Sequence, residues 1–400
     1  MASPVPNLLD VGSDSALVST HGVVADLGLK SGLLPRQRIR AMVQRKMIVA
    51  TEGILENQLQ PASLDLRVAQ RAFRIRASFI PGRERTVQDQ LARLKHDEID
   101  LRHGAVLEKG SMYLVELQEH LKLQEIISAV ANPKSSTGRL DIFTRLIANH
   151  SDVFDNVASG YEGPLFAEVS PRSFSIKIRK GSRLNQIRFR RRNPTQDVHE
   201  GFLLDDKELR TRHDKSPLVD GKLTLRNGLV LRVSLAFPNA ENDVVGFRAQ
   251  KYTDTIDVDK VDSYDPTEYW EPVHRRKDGR VILDPHQFYI FASQEQVHIP
   301  PDLAAEMVAI DPEMGEFRVH YAGFFDPGFG FTEDGRPGSR AVLEVRSHEI
   351  PFLIEDGQII GRLAFLHLSE APDILYGALP GSHYQGQGLK LSKHFVPFQL

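Results

Sequence analysis

Leu283-Asp-Pro-His-Gln-Phe-Tyr-Ile-Phe291 reads as a second version of Leu107-Glu-Lys-Gly-Ser-Met-Tyr-Leu-Val115. At a constant offset of 176 residues (113 to 289), Tyr113 meets Tyr289, Gln118 meets Gln294 and Glu119 meets Glu295. The same offset pairs Leu123 with Ile299, Glu168 with Glu344, and Gly181 with Gly357. One offset held over such a span marks an internal duplication. The duplicated unit is β in character. Met112-Tyr-Leu-Val-Glu-Leu117 and Ser173-Phe-Ser-Ile-Lys-Ile-Arg179 are rich in strand formers, and turn signals recur at Gly110, Asn132-Pro133, Gly163-Pro164 and Gly181. Short strands with frequent turns predict a mainly β chain of two tandem barrels or sandwiches with few short helices.

The bulk numbers set limits. A chain of 400 residues accommodates two domains. Its 41% apolar and 26% charged residues are ordinary for a globular protein, and a net charge of -3 gives no reason to expect a nucleic-acid polymer as partner. No apolar run is long enough for a membrane helix, and the first residues lack the basic and apolar regions of a secretory signal. The absence of cysteine excludes disulfides and fits a cytoplasmic location. It also excludes the Cys-x-x-Cys zinc centre of the nucleobase deaminases that use one.

Outward from the repeats, residues 1–33 read as a loose arm. Residues 34–46 read as a helix with Pro35 in its first turn, an apolar face of Ile39, Met42 and Val43, and a solvated basic face. Pro61-Ala-Ser-Leu-Asp-Leu-Arg67 alternates as a strand. The basic run Arg188-Phe-Arg-Arg-Arg-Asn193 reads as a solvated strand edge. The expected division is a first unit over 1–195, a connecting or inserted segment over 196–280 with a hairpin at Asn227-Gly228, and a second unit over 281–400. The glycine-rich, aromatic tail from Tyr376 to Gly388 reads either as a frayed end or as a mobile lid.

Two stretches carry chemistry. Asn132-Pro-Lys-Ser-Ser-Thr-Gly-Arg139 is a hydroxyl-rich turn flanked by the cations Lys134 and Arg139, which suits a polyphosphate. Gly160-Tyr-Glu-Gly-Pro-Leu-Phe-Ala-Glu168 is a turn running into a strand with one carboxylate, which suits proton transfer. In the second copy the cations are replaced by the acidic stretch Val308-Ala-Ile-Asp-Pro-Glu313, while the strand keeps Glu344.

These residues, taken in order, resemble the dCTP deaminase branch of the dUTPase-like β-barrel family in its long, duplicated form. The resemblance covers residues 55–190 and 281–390. It rests on Pro61-Ala-Ser-Leu-Asp-Leu-Arg67, Lys134-Ser-Ser-Thr-Gly-Arg139, and an Ala and an Asp four apart at Ala148/Asp152 and again at Ala322/Asp326. It rests further on Gly160, Tyr161 and Gly163 followed by Glu168, and on Tyr376, His383, Tyr384 and Gln387 at lid spacing, with His383 where the family carries Lys. It implies two distorted jelly-roll barrels and zinc-free hydrolytic deamination of dCTP to dUTP and ammonia, supplying dUTP for dTTP synthesis. Mg2+ is then carried by the substrate triphosphate, with no metal site on the protein; single-copy members form trimers, so a homotrimer is expected, with a self-contained monomer of two docked copies as the alternative.

The roles it implies are Glu168 as general base and acid, Ser135 and Arg139 on phosphate or water, and Ala148 acting through its backbone. Lys134, Ser136, Asp152, Phe166, Ala322, Asp326, Tyr376, His383, Tyr384 and Gln387 then bind substrate. Two arrangements compete: the first copy is the enzyme and the second a degenerate partner, or the first copy's turn completes a second-copy pocket with Glu344 as the base. The first is preferred, because copy one holds the whole set by itself. Two other functions stay open: dUTP diphosphatase, alone or combined with deamination, and a non-catalytic nucleotide binder.

Overall fold

The structure is a computed structural model that describes residues 30–192, 202–236, 243–309, 317–319, 323–332, 336–347, 349–378 and 381–398. It is mainly β, and the two repeats share one topology. In the first, a sheet runs in the order Lys95–Asp100, Val68–Ile75, Met112–Lys122, Glu162–Pro171, Ile142–Ala148. In the second the order is Trp270–His274, Val244–Ala249, Phe288–Val297, Ser339–Ser347, Phe317–Val319. Register is kept as well: Glu168 faces Leu114 and Glu344 faces Ile290, both at the offset read from the sequence. Tyr113 accepts a hydrogen bond from the Glu108 amide (2.9 Å) and Tyr289 accepts one from Asp284 (3.0 Å) at the same offset.

Residues 196–280, expected to connect the units, instead supply strands of the second. Leu229–Arg232 pairs with Ile359–His367, just as Leu64–Asp65 pairs with Asn185–Arg191 in the first repeat. The buried carboxylate of Glu119 accepts from the amide and side chain of Arg67, and that of Glu295 from the amide and side chain of Arg232. The offset here (67 to 232) is 165, so the copy slips out of frame with the remainder. Asn227 adopts a left-handed φ of 51° in the tight turn expected there. One short strand, Ile256–Asp257, leaves the second unit and pairs with Ile176–Ile178 of the first.

The largest apolar cluster spans both repeats. It joins Leu140, Ile142 and Phe174 to Trp270, Phe288, Ile290, Val342 and Phe395. Edge-on aromatic contacts of Trp270 with Phe174 (5.4 Å) and Phe395 (6.0 Å) fix the tail beside the first repeat. The helix Arg36–Gln44 buries Ile39 and Met42 as expected, but Arg38 of its basic face is bonded to Glu370 (2.7 Å) rather than solvated.

The strand reading of residues 63–68 is half met. Leu64, Leu66 and Val68 are buried, yet so are Ser63, Asp65 and Arg67. Both faces are covered because Asp65 pairs with Lys134 and Arg67 with Glu119. The described part of the basic run is solvated only at its end: Arg188 has no exposed surface and Arg191 is buried, Arg190 is half-buried, and Arg192 is exposed. Their strand is sandwiched between the repeats. The acidic stretch 308–313 lies largely outside the described residues.

Candidate active site

The strand Ile127–Pro133 is followed by Lys134, which precedes the single turn Ser135–Gly138 and makes no side-chain capping bond to it. The turn lies against Glu344 of the second repeat. A Cβ added at Gly138 would lie 2.7 Å from Oε1 of Glu344 and 2.8 Å from its Cδ, closer than real side chains approach. Glycine is therefore the residue that lets the Glu344 carboxylate lie directly against the turn.

Around this contact is a narrow cleft with a cavity volume of about 110 Å³. Lys134, Ser135, Ser136, Arg139, Gln60 and Gln186 line it from the first repeat. Residues 323–326, Val342 and Glu344 line it from the second, and Tyr376, His383, Tyr384, Gln387 and Lys393 from the tail.

Each polar group at the cleft has an identifiable environment. Glu344 is buried, and its Oε2 has no hydrogen-bond partner. Burial pushes its carboxyl well above the ordinary range, Arg139 opposes the shift, and Asp141 adds to it. Arg139 is itself buried, with its guanidinium 3.8 Å from the centre of the Tyr384 ring. It donates to the Lys390 carbonyl (2.9 Å) and to Gln387 Oε1 (2.9 Å), so it ties the tail over the cleft. Asp326 accepts from Arg188 at 2.9 Å. Burial lowers the pKa of His383, and Lys393 and Lys390 push it the same way. A neutral ring therefore stands where the related family carries a cation. Lys393 lines the cleft nearby.

Glu168 is elsewhere. It is buried in the first repeat, on the sheet face that also carries Phe166, and is not among the residues lining the cleft. The helix Val87–Leu94 of its own repeat packs on that face, with Val87 and Leu91 against Leu114, Ile147 and Phe166. Among the described residues, the cation-flanked turn Lys134–Arg139 lines the cleft with Glu344 and not with Glu168. Its neighbours are Arg145 across the strand and a hydrogen bond with Ser78. Ala148 is buried at the end of the adjoining strand. Asp152 is exposed and ion-paired with Arg83 at 2.7 Å. Phe166, Ala148 and Asp152 therefore stand apart from the cleft, and Ala322 lies outside the described residues. The structure brings together Lys134, Ser135, Ser136, Arg139, Asp326, Glu344, Tyr376, His383, Tyr384 and Gln387.

Sequence reading missed Arg188, Gln186, Gly138 and Lys393. For Gly138 a signal was present: a glycine inside a binding turn marks close approach. For Arg188 it was hidden within a run of like charges.

Comparison with known proteins bears on the same residues. Residues 30–193 match the N-terminal domain model of 2'-deoxycytidine 5'-triphosphate deaminase, and residues 205–395 match its C-terminal domain model. A "dCTP deaminase, dUMP-forming" of Beutenbergia cavernae is 29% identical over 163 residues, which is 38% of this chain and 81% of that one. One of Nanoarchaeum equitans with the same description is 28% identical over 182 residues, 41% of this chain and 86% of that one. A "dCTP deaminase" of Natronomonas pharaonis is 27% identical over 199 residues, 46% of this chain and 91% of that one. Each relative spends most of its length on less than half of this chain, as single-copy relatives of a duplicated protein should. The crystal structure of 2'-deoxycytidine 5'-triphosphate deaminase from Agrobacterium tumefaciens matches with a TM-score of 0.80 and 48% identity, over 85% of this chain and 99% of that one. The chain thus belongs to the 2'-deoxycytidine 5'-triphosphate deaminase family, in a duplicated form whose two halves meet at one cleft.

Proposed function

We propose that the protein deaminates dCTP to dUTP and ammonia in the cleft between the repeats, with Glu344 as the proton-transferring group. The carrying observation is the buried Glu344 carboxylate, one oxygen unpartnered, lying against Gly138 of the cation-flanked turn. A buried acceptor with no protein partner is uncommon and calls for an external one. Water over C4 of cytosine supplies it.

In this reading Glu344, as the carboxylate, takes a proton from the water as its oxygen bonds to C4. It returns that proton to N3, then takes the second proton from the new C4 hydroxyl and delivers it to the amino group; the C4–N bond breaks as the C4 carbonyl forms, and ammonia leaves. Burial raises the carboxyl so that it can hold the proton between these steps, and Arg139 keeps the anion accessible at the start. Lys134, Ser135, Ser136 and Lys393 receive the triphosphate, while Tyr376, His383, Tyr384 and Gln387 close over it. This cationic lining fits a nucleotide that brings its own Mg2+ on its phosphate oxygens. Glu168, the base preferred on sequence grounds, gives way to Glu344, because its face of the sheet is packed by its own repeat. The roles expected for Ala148, Asp152 and Phe166 pass to the second repeat with it.

The residues named above all come from one chain, an arrangement compatible with a protein that works singly and with the expected homotrimer. Sedimentation would measure which. Among the described residues no helix is long and apolar enough to cross a membrane, and a cytoplasmic enzyme feeding dTTP synthesis fits this reading. A second product is favoured by the dUMP-forming relatives. Incubation with dCTP and Mg2+, following ammonia and pyrophosphate together, tests both. Ammonia alone supports dUTP as product, ammonia with equal pyrophosphate supports dUMP, and neither overturns the proposal.

A further inference from the structure

We propose that Arg188, a first-repeat side chain, is the positioning residue for the sugar end of the cleft, setting Asp326 of the second repeat to receive a sugar hydroxyl. The inference rests on the nucleotide reading of the cleft given above.

The strand Asn185–Arg191 pairs with Ile127–Pro133, the strand that leads into the phosphate turn. Ile187 and Phe189 point into the first repeat's core. By strand alternation Gln186 and Arg188 point the other way, and Gln186 lines the cleft. Arg188 has no exposed surface. Its guanidinium donates to the carbonyls of Ala305 (3.0 Å) and Phe325 (2.9 Å) and to Asp326 Oδ1 (2.9 Å), and sits 4.0 Å from the centre of the Phe324 ring. All its side-chain partners therefore lie in the second repeat, and three of those residues border the cleft.

A buried ion pair of this kind is a poor stabilising device, since apolar side chains of the same volume would serve as well. What it does supply is orientation. Arg188 occupies one oxygen of Asp326, while Oδ2 is left without a protein partner among the described residues. Burial raises the Asp326 carboxyl and Arg188 pulls it back towards the ionised form. An ionised carboxylate only accepts hydrogen bonds, so it suits a hydroxyl donor. Once the phosphates lie on Lys134 and the cytosine on Glu344, the 3'-hydroxyl is the donor that dCTP offers.

The test is nucleotide binding by titration calorimetry in the Glu344→Gln background, which avoids turnover. It compares dCTP with 2',3'-dideoxycytidine triphosphate. The parent protein should prefer dCTP by about ten- to a hundred-fold, the worth of one hydrogen bond to a charged group. Arg188→Met should bring the two affinities close to equality, and Arg188→Lys should restore part of the difference. A merely structural role would weaken both ligands alike. A retained preference in Arg188→Met, or none in the parent, overturns the proposal. Should Arg188→Met fail to fold, Arg188→Lys carries the test: it keeps the buried charge paired but not the fixed fork, and must narrow the dCTP preference relative to the parent. Ammonia release by the wild-type protein judges the proposed function separately from this comparison.

Discussion

Glu168 and Glu344 occupy equivalent positions in equivalent strands, yet they have opposite surroundings. Both are buried and both have an oxygen without a partner. The sheet face around Glu168 is covered by the helix Val87–Leu94 and the rings of Phe73, Phe79 and Phe166. The face around Glu344 is met by the phosphate turn of the other repeat, with a cleft between. Two residues before the glutamate, the first repeat has Phe166, which fills space, and the second has Val342, which leaves it. A carboxylate on a strand becomes a candidate base through what roofs it, and here the roof comes from the opposite half of the chain.

The sharpest way to break this comparison is to neutralise each glutamate in turn. Glu344→Gln should lower ammonia release from dCTP by ~10²–10⁴-fold, the usual contribution of a general acid-base group. Glu168→Gln should leave the rate nearly unchanged. A large loss at Glu168 would return the chemistry to the first repeat.

The next largest effect separates filling from lining. Phe166→Ala should lower unfolding free energy by about 3–5 kcal/mol in denaturant titrations, with little change in kcat/KM. Val342→Phe should abolish dCTP binding in the occluded cleft, at a stability cost of about 1–3 kcal/mol for added bulk at a buried position. If both variants behave alike, the two faces are not distinguished in this way.

The smallest effect concerns pH. Burial raises the Glu168 carboxyl above its ordinary value of 4.5. The folded state then holds that proton more tightly than the unfolded chain. The penalty is absent where both states are protonated and grows as pH rises from the unfolded value through the raised one. Glu168→Gln should therefore raise Tm by a few degrees near neutral pH, and the gap should close as pH falls towards the ordinary carboxylate range. A gap independent of pH would mean that packing, not charge, separates the variants.

Much of the fold was readable because a duplication leaves a periodic trace. Tyr113 with Tyr289 and Glu119 with Glu295 located the repeated sheet and its register. The trace failed over 196–280 for two reasons. Leu229-Val-Leu-Arg-Val233 lacks the Pro and Asp that mark Pro61-Ala-Ser-Leu-Asp-Leu-Arg67, and its offset differs from that of the later strands. The types of residue at the site were also readable: a hydroxyl-rich cationic turn, a strand glutamate and an aromatic tail. Which glutamate meets the turn was not, since that depends on how one repeat docks on the other. Arg188 was hidden for a related reason. Its neighbours in sequence are further arginines, and only the pleat, which turns Arg188 away from Ile187 and Phe189, points it into a buried interface.

The segment over the cleft is fastened at both ends. The amide of Tyr376 bonds to the Pro327 carbonyl at 2.8 Å, and beyond Gln387 the chain is pinned by Ser392 against the Ser136 carbonyl and by Phe395 among Tyr264, Tyr269 and Trp270. A free tail must surrender the wandering of a whole chain end each time it folds down; a loop whose two ends are already moored has far less to surrender. Substrate entry and product escape should then proceed by bowing of this short bridge, with both moorings in place throughout the cycle.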